Sequence, residues 1–168
     1  MSTVRLSQIS YVVLGLIDQL GTASPYDLKR AAAAGVGHFW SLPHTQLYSE
    51  PARLAEAGYL SERRETAGRR RRLYTLTARG RQALDEWRAT PTDELYEIRD
   101  AGLLRLFFGA DPARLAPTQL EAHRENLRHL EALHAQVTPD VPEGVRLALE
   151  AGIGHAREYV RFWERLAQ

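Results

Sequence analysis

The stretch Tyr59–Arg79, YLSERRETAGRRRRLYTLTAR, decides how the rest of the chain is read. Its two halves have β character. Tyr59–Arg64 forms one run, and Arg72–Thr77 alternates Leu73, Thr75 and Thr77 with Tyr74 and Leu76. Thr66-Ala67-Gly68 supplies a turn between them, so the stretch predicts a β-hairpin. Arg63 and Arg64 lie before the turn, Arg69, Arg70, Arg71 and Arg72 after it, and Tyr74 follows. Six guanidinium groups at one hairpin tip repel one another unless a polyanion neutralises them, and the phosphates of a nucleic acid are an economical source of that charge. A solvated charged turn accounts for the four-arginine run taken alone.

Upstream of the hairpin the sequence predicts three short helices. Ile9, Val12, Val13, Leu16, Ile17 and Leu20 form an apolar stripe at three-to-four spacing over 9–20. Gly21 ends that helix, and Ser24-Pro25 opens a second that runs to about Ala34, with an N-cap followed by proline at the first position. Gly35 and Gly37 punctuate. A third helix is expected after Ser41 or Pro43, turning Leu47, Leu54 and Ala57 inward and stopping at Gly58 in a left-handed cap. Pro51 falls inside it and removes a backbone hydrogen bond. Either the helix is kinked over Leu47–Pro51, or its regular part starts near Ser49. Thr77 can cap a fourth helix over roughly 78–90, ended by Pro91.

Three short helices, an arginine-rich hairpin and a further helix, in that order, make a winged helix-turn-helix. On that fold the third helix is the reader. His44, Thr45 and Gln46 at its start can present donors and acceptors to base edges, while Tyr48, Ser49 and Arg53 are placed for backbone phosphates. Tyr26 and Lys29 on the second helix complete the candidate DNA-binding set with the wing residues.

After Pro91 helices are expected throughout, over 94–108, 118–137 and from Pro142 to about Leu166. The last would be about 37 Å long. Its seam of Leu149, Ile153, Ala156, Val160, Trp163 and Ala167 resembles a coiled-coil face. A seam this long predicts burial against a second chain, joined by Leu120, Leu127 and Leu130 of the preceding helix. Gly152 and Gly154 suit close helix approach there. The expected architecture is mainly α with a small β-wing: a winged helix-turn-helix over 1–90 and an all-helical dimerisation domain over 91–168.

Charge follows the same division. Residues 1–90 carry 13 Lys/Arg against 8 Asp/Glu, and residues 91–168 carry 9 against 13, so +5 and −4 sum to the net +1. A basic half joined to an acidic one suits a polyanion-binding module attached to something else. The chain has no cysteine, which excludes disulfides, thiolate metal sites and cysteine nucleophiles. No apolar run approaches the ~20 residues that span a bilayer, no signal peptide is recognisable, and a cytoplasmic protein with no membrane partner is expected. His123, His129 and His134 share a predicted helix without the i, i+4 spacing of a zinc site, so neither metal nor cofactor is expected. No glycine-rich phosphate loop or nucleophile elbow supports an enzyme. The aromatics Trp87, Tyr96, Phe107, Phe108, Tyr159, Phe162 and Trp163 suit core and dimer packing, or the lining of an effector pocket.

Tyr11–Leu16, Ser24-Pro25-Tyr26-Asp27-Leu28, Gln46-Leu47-Tyr48 with Arg53-Leu54, Ala57-Gly58-Tyr59-Leu60 and above all Gly68–Gly80 resemble the PadR family of transcriptional regulators. Leu103–Gly109 is similar to the start of that family's longer, AphA-like helical C-terminal domain. Many members place a proline directly after the tyrosine and a leucine two residues later. Here Ser49 follows the tyrosine and Pro51 stands in the leucine's place. The resemblance implies a homodimer that binds double-stranded DNA at a pseudo-palindromic operator, usually as a repressor, sometimes released by a small aromatic effector. The alternative is a helical interaction module whose winged-helix half binds protein. Only the DNA reader loses duplex affinity steeply with salt.

Overall fold

The computed structural model describes residues 4–66 and 70–168. The turn residues Ala67 and Gly68, the candidate Arg69 and the side chain of His44 lie outside the described part. The chain folds as two compact units that meet between Glu94 and Leu95.

The first unit holds helices α1 (Gln8–Leu20), α2 (Pro25–Ala34) and α3 (His44–Glu56), strands β1 (Leu60–Arg64) and β2 (Arg72–Leu76), and helix α4 (Ala78–Ala89). A single 3-10 turn, Val36–His38, links α2 to α3. Of the expected apolar stripe Val13, Leu16 and Ile17 enter the core, joined by Leu14, and pack with Leu28 and Ala32 of α2, Leu47 and Leu54 of α3, and Leu84 of α4. Ile9 and Val12 are partly buried and Leu20 is exposed. Ser24 and Asp27 form a reciprocal capping box at the start of α2, each side chain satisfying a backbone N–H of the other residue. Gly58 takes φ +80°, the left-handed geometry that ends α3 and turns the chain into β1.

The two strands pair antiparallel from Leu60 opposite Leu76 to Arg64 opposite Arg72. Backbone hydrogen bonds in both directions between Ala23 and Tyr74, 3.1 and 2.9 Å, join the hairpin to the turn between α1 and α2. Asp18 of α1 accepts from Arg81 and Arg88 of α4, at 2.9 and 2.8 Å. This winged helix-turn-helix is the expected architecture. Of the two alternatives for Pro51, a regular helix that starts only near Ser49 does not hold. α3 runs unbroken over His44–Glu56 with Pro51 inside, and the fully buried proline ring packs in the core, which offsets the lost hydrogen bond.

Residues 91–100 carry no helix or strand. The second unit contains α5 (Ala101–Phe107), α6 (Pro112–Ala135) and α7 (Glu143–Leu166). Two expected boundaries move. The helix expected from 94 begins only at Ala101, because the Asp100 carboxylate accepts from the N–H groups of Gly102 and Leu103, at 2.6 and 2.9 Å, and so caps it there. The helix expected from 118 begins at Pro112, capped by Asp111, and continues through Pro117. It is thereby 24 residues long, equal to α7.

That length lets α6 cover, within the same chain, much of the α7 seam expected to face a second chain. Early α6, through Ala116 and Leu120, shares a core with Val160 and Trp163 of late α7, while Leu130 of late α6 shares one with Ile153 and Ala156. The helices are antiparallel, and Leu127 and Leu149 pack at the edges of the same contacts. Leu120, Leu130, Ile153, Ala156, Val160 and Trp163 are therefore buried within one chain, with Leu127 and Leu149 partly buried beside them. Gly154 faces open space and Gly152 only touches Leu130. The tight approach is at Gly102, where a Cβ would stand 2.7 Å from Oε1 of Gln119 and 2.9 Å from Trp163.

Ile153→Glu places a desolvated carboxylate in this core. It should destabilise the second unit by about 3 kcal/mol or more, read as unfolding of the chain. A variant that keeps wild-type stability and loses only self-association would return the seam to an interface between chains.

Candidate nucleic-acid interface

α3 divides its side chains by face. Leu47, Glu50, Pro51 and Leu54 turn inward, and Thr45, Gln46, Tyr48 and Ser49 are exposed. The Ser49 hydroxyl donates to the Thr45 carbonyl oxygen at 3.2 Å, a local bond that leaves the residue on the open face. Thr45 and Gln46 stand free in the first turn, as a reader of base edges requires. Tyr26 and Lys29 of α2 are exposed as well.

Glu50 is a carboxylate on the buried face, only 8% exposed. The fully buried hydroxyl of Ser10 on α1 donates to its Oε1 at 2.6 Å. Arg53 donates from Nε to Oε2 at 2.9 Å, from Nη2 to Oε1 at 2.5 Å, and from Nη2 to the Ser10 Oγ at 3.0 Å. Burial by itself would push the Glu50 carboxyl up. The hydrogen bonds from Arg53 and Ser10 and the arginine charge outweigh it and hold the group below the ordinary glutamate range. Arg53, expected at a phosphate, thus commits two of its three nitrogens to Glu50 on its own helix, and one of these also to Ser10 of α1.

The wing carries both signs of charge. Arg71 forms a two-pronged pair with Glu65, at 3.1 and 2.8 Å. Glu62 lies 3.3 Å from Arg64 and 3.7 Å from Arg72. Arg63 and Arg70 make no ion pair among the described residues, and both are exposed. Tyr74 leaves the candidate set. It is 1% exposed, its ring lies in the core and its hydroxyl donates to Glu62 at 3.1 Å, because alternation along β2 turns it to the helix side. Sequence reading passed over Glu50, Glu62 and Glu65. Glu50 was detectable from its three-to-four spacing with Leu47 and Leu54, while Glu62 and Glu65 stand in plain view between the arginines.

A helix with an open polar first turn, held on a three-helix core beside a basic two-stranded wing, defines a winged helix-turn-helix DNA-binding protein. Residues 13–86 match the transcriptional regulator PadR-like family. The negative transcriptional regulator PadR of Bacillus subtilis is 27% identical over 177 residues, spanning 94% of either chain. The structure of that protein in complex with operator DNA matches with a TM-score of 0.84 at 25% identity, over 96% of this chain and 98% of the other. Its complex with p-coumaric acid matches with a TM-score of 0.77 at 23% identity, over 97% of both chains. The Vibrio cholerae virulence activator AphA shares the fold, with a TM-score of 0.69 at 24% identity over 95% of this chain and 96% of that one. Over residues 13–86 the chain is similar to the PadR-like family of transcriptional regulators, and over nearly its whole length to the Bacillus subtilis negative regulator. No helix among the described residues is long and apolar enough to cross a membrane.

Glu50→Gln keeps the shape and removes the charge. Near neutral pH the variant should be less stable than wild type by about 2 kcal/mol. A carboxylate held below its unfolded value stabilises the fold above that value, about pH 4.3, and loses the effect as pH falls through the lower folded one. The gap between the two proteins in urea unfolding should therefore close in acid. A gap that does not change with pH would show that the Glu50 charge is not the stabilising group.

Proposed function

We infer that the chain is a homodimeric, sequence-specific repressor that reads double-stranded DNA with the first turn of α3 and grips phosphates with the wing. The observation that carries this reading is the exposed pair Thr45–Gln46 on a helix locked to α1, beside a hairpin whose Arg63 and Arg70 are open to solvent. His44 opens the same helix. Tyr26, Lys29, Tyr48 and Ser49 flank this surface as backbone contacts, as does Arg72 on the wing. The repressor assignment leans on the Bacillus subtilis relative, a negative regulator.

Self-association is supported by the second unit, which exposes Leu104, Phe107 and Phe108 of α5 and its end, with Phe107 at 83% and Phe108 at 77%. Large apolar side chains grouped at this exposure favour burial against another surface. A dimer would place two reading helices on a pseudo-palindrome with half-sites about 10 bp, or a multiple, apart. An aromatic acid as effector is supported by the p-coumaric acid complex of the relative and by a cluster in the second unit. There His123 meets the Tyr159 ring in a tilted arrangement at 4.9 Å and lies 3.9 Å from Asp100. Trp163 beside it holds a buried Nε1 with no hydrogen-bond partner among the described residues.

Binding to a mixed-sequence duplex should fall steeply with salt. Arg70→Ala should weaken it on all sequences alike and lower the magnitude of the log–log salt slope by about 1. Wild-type affinity and slope in this variant would remove the wing from the interface. In the same assay p-coumaric acid should release the chain from duplex selected out of a random pool, and sedimentation at micromolar protein should show a dimer. A monomer, or a complex indifferent to the acid, removes the corresponding part of the reading.

A further inference from the structure

The wing is the only basic hairpin tip among the described residues, yet one of its arginines is held by the chain's own carboxylate. Glu65, at the end of β1, and Arg71, just before β2, face each other across the hairpin and exchange more than a side-chain pair. The Glu65 N–H donates to the Arg71 carbonyl oxygen at 3.0 Å, and the Arg71 N–H donates to Glu65 Oε2 at 3.3 Å. The guanidinium then closes on both carboxylate oxygens, through Nε at 3.1 Å and Nη2 at 2.8 Å. Backbone and side chain together fix the carboxylate in the geometry that a phosphate would otherwise occupy, since a fork of two parallel N–H groups is what Arg offers to either anion. Glu65 is the more covered partner, with its side chain 24% exposed against 51% for Arg71.

We propose that Glu65 is an affinity-setting residue, an internal competitor that withholds Arg71 from DNA phosphates and so limits the wing's sequence-independent grip. The proposal rests on the wing contacting DNA. Its physical basis is an exchange: a phosphate contact by Arg71 must break the fork or leave the Glu65 charge beside the polyanion. Either route lowers affinity for every duplex equally, and the contrast between an operator and the many competing sites is then set by α3. A wing of uncompensated arginines would raise all affinities together, on operator and competing sites alike. Glu62, between Arg64 and Arg72, acts in the same sense at longer distances of 3.3 and 3.7 Å.

The test measures binding of the full chain to a mixed-sequence duplex by fluorescence anisotropy over a salt series. It compares wild type, Glu65→Gln, Glu65→Ala, Arg71→Ala, the double variant Glu65→Gln/Arg71→Ala, and Arg70→Ala. Freeing Arg71 should raise affinity about threefold near physiological salt and increase the magnitude of the salt slope by about 0.9, the value of one added phosphate contact. Both Glu65 variants should do so, and Glu65→Gln should add nothing on the Arg71→Ala background. An equal rise on that background would mean general repulsion by a surface carboxylate and overturn the competitor. No rise at Glu65, with Arg70→Ala still weakening binding, overturns the proposal and leaves the wing a phosphate contact. If Arg70→Ala also has no effect, the wing does not meet DNA and both readings fall.

Discussion

The Glu50 carboxylate sits on the face of α3 that packs against α1, and everything α3 presents outward depends on how that charge is satisfied. A buried carboxylate without partners is costly enough to unseat a helix. Here Ser10 and Arg53 supply three hydrogen bonds to it, and Arg53 a fourth to Ser10, in a directional network that fixes the rotation of α3 as well as its position. Apolar contacts through Leu47 and Leu54 tolerate small rotations, but hydrogen bonds of this geometry do not. The exposed turn at Thr45 and Gln46 inherits its direction from the buried side of the same helix.

The wing is oriented by a second constraint of the same kind. Tyr74 exchanges two backbone hydrogen bonds with Ala23, and its ring fills the core beneath. The hairpin is therefore tied at its base while its arginines reach outward. Those arginines are not a uniform cationic surface. Glu62 and Glu65 pair with Arg64, Arg71 and Arg72, so the charge available to a polyanion is smaller than the residue count indicates. Net charge describes attraction at a distance, and the pairing decides what happens at contact.

In the second unit the dominant constraint is matching of apolar lengths. α6 and α7 each run 24 residues, and each covers the other's seam from Ala116 and Leu120 at one end to Leu130 at the other. The apolar surface left over lies on the segment before α5, at Leu95, Tyr96 and Ile98, on α5 and its end, at Leu104, Phe107 and Phe108, and on early α7, at Val145 and Leu147.

Local chemistry is what the sequence by itself determined. The stripe of α1, the Ser24-Pro25 start of α2, the Gly58 stop and the alternation in Arg72–Thr77 all act over a few residues, and all predict the winged helix-turn-helix that forms. Tertiary structure alone decided the questions that depend on which surface meets which. Pro51 is accommodated because its ring is buried, Tyr74 turns inward because β2 faces the helices, and Arg53 turns back because Glu50 is underneath it. The α7 seam packs on its own chain along a helix that starts at Pro112, behind its Asp111 cap, six residues before the expected 118. A helix end signal is local and ambiguous, whereas the partner of an apolar face is set by every other face competing for it.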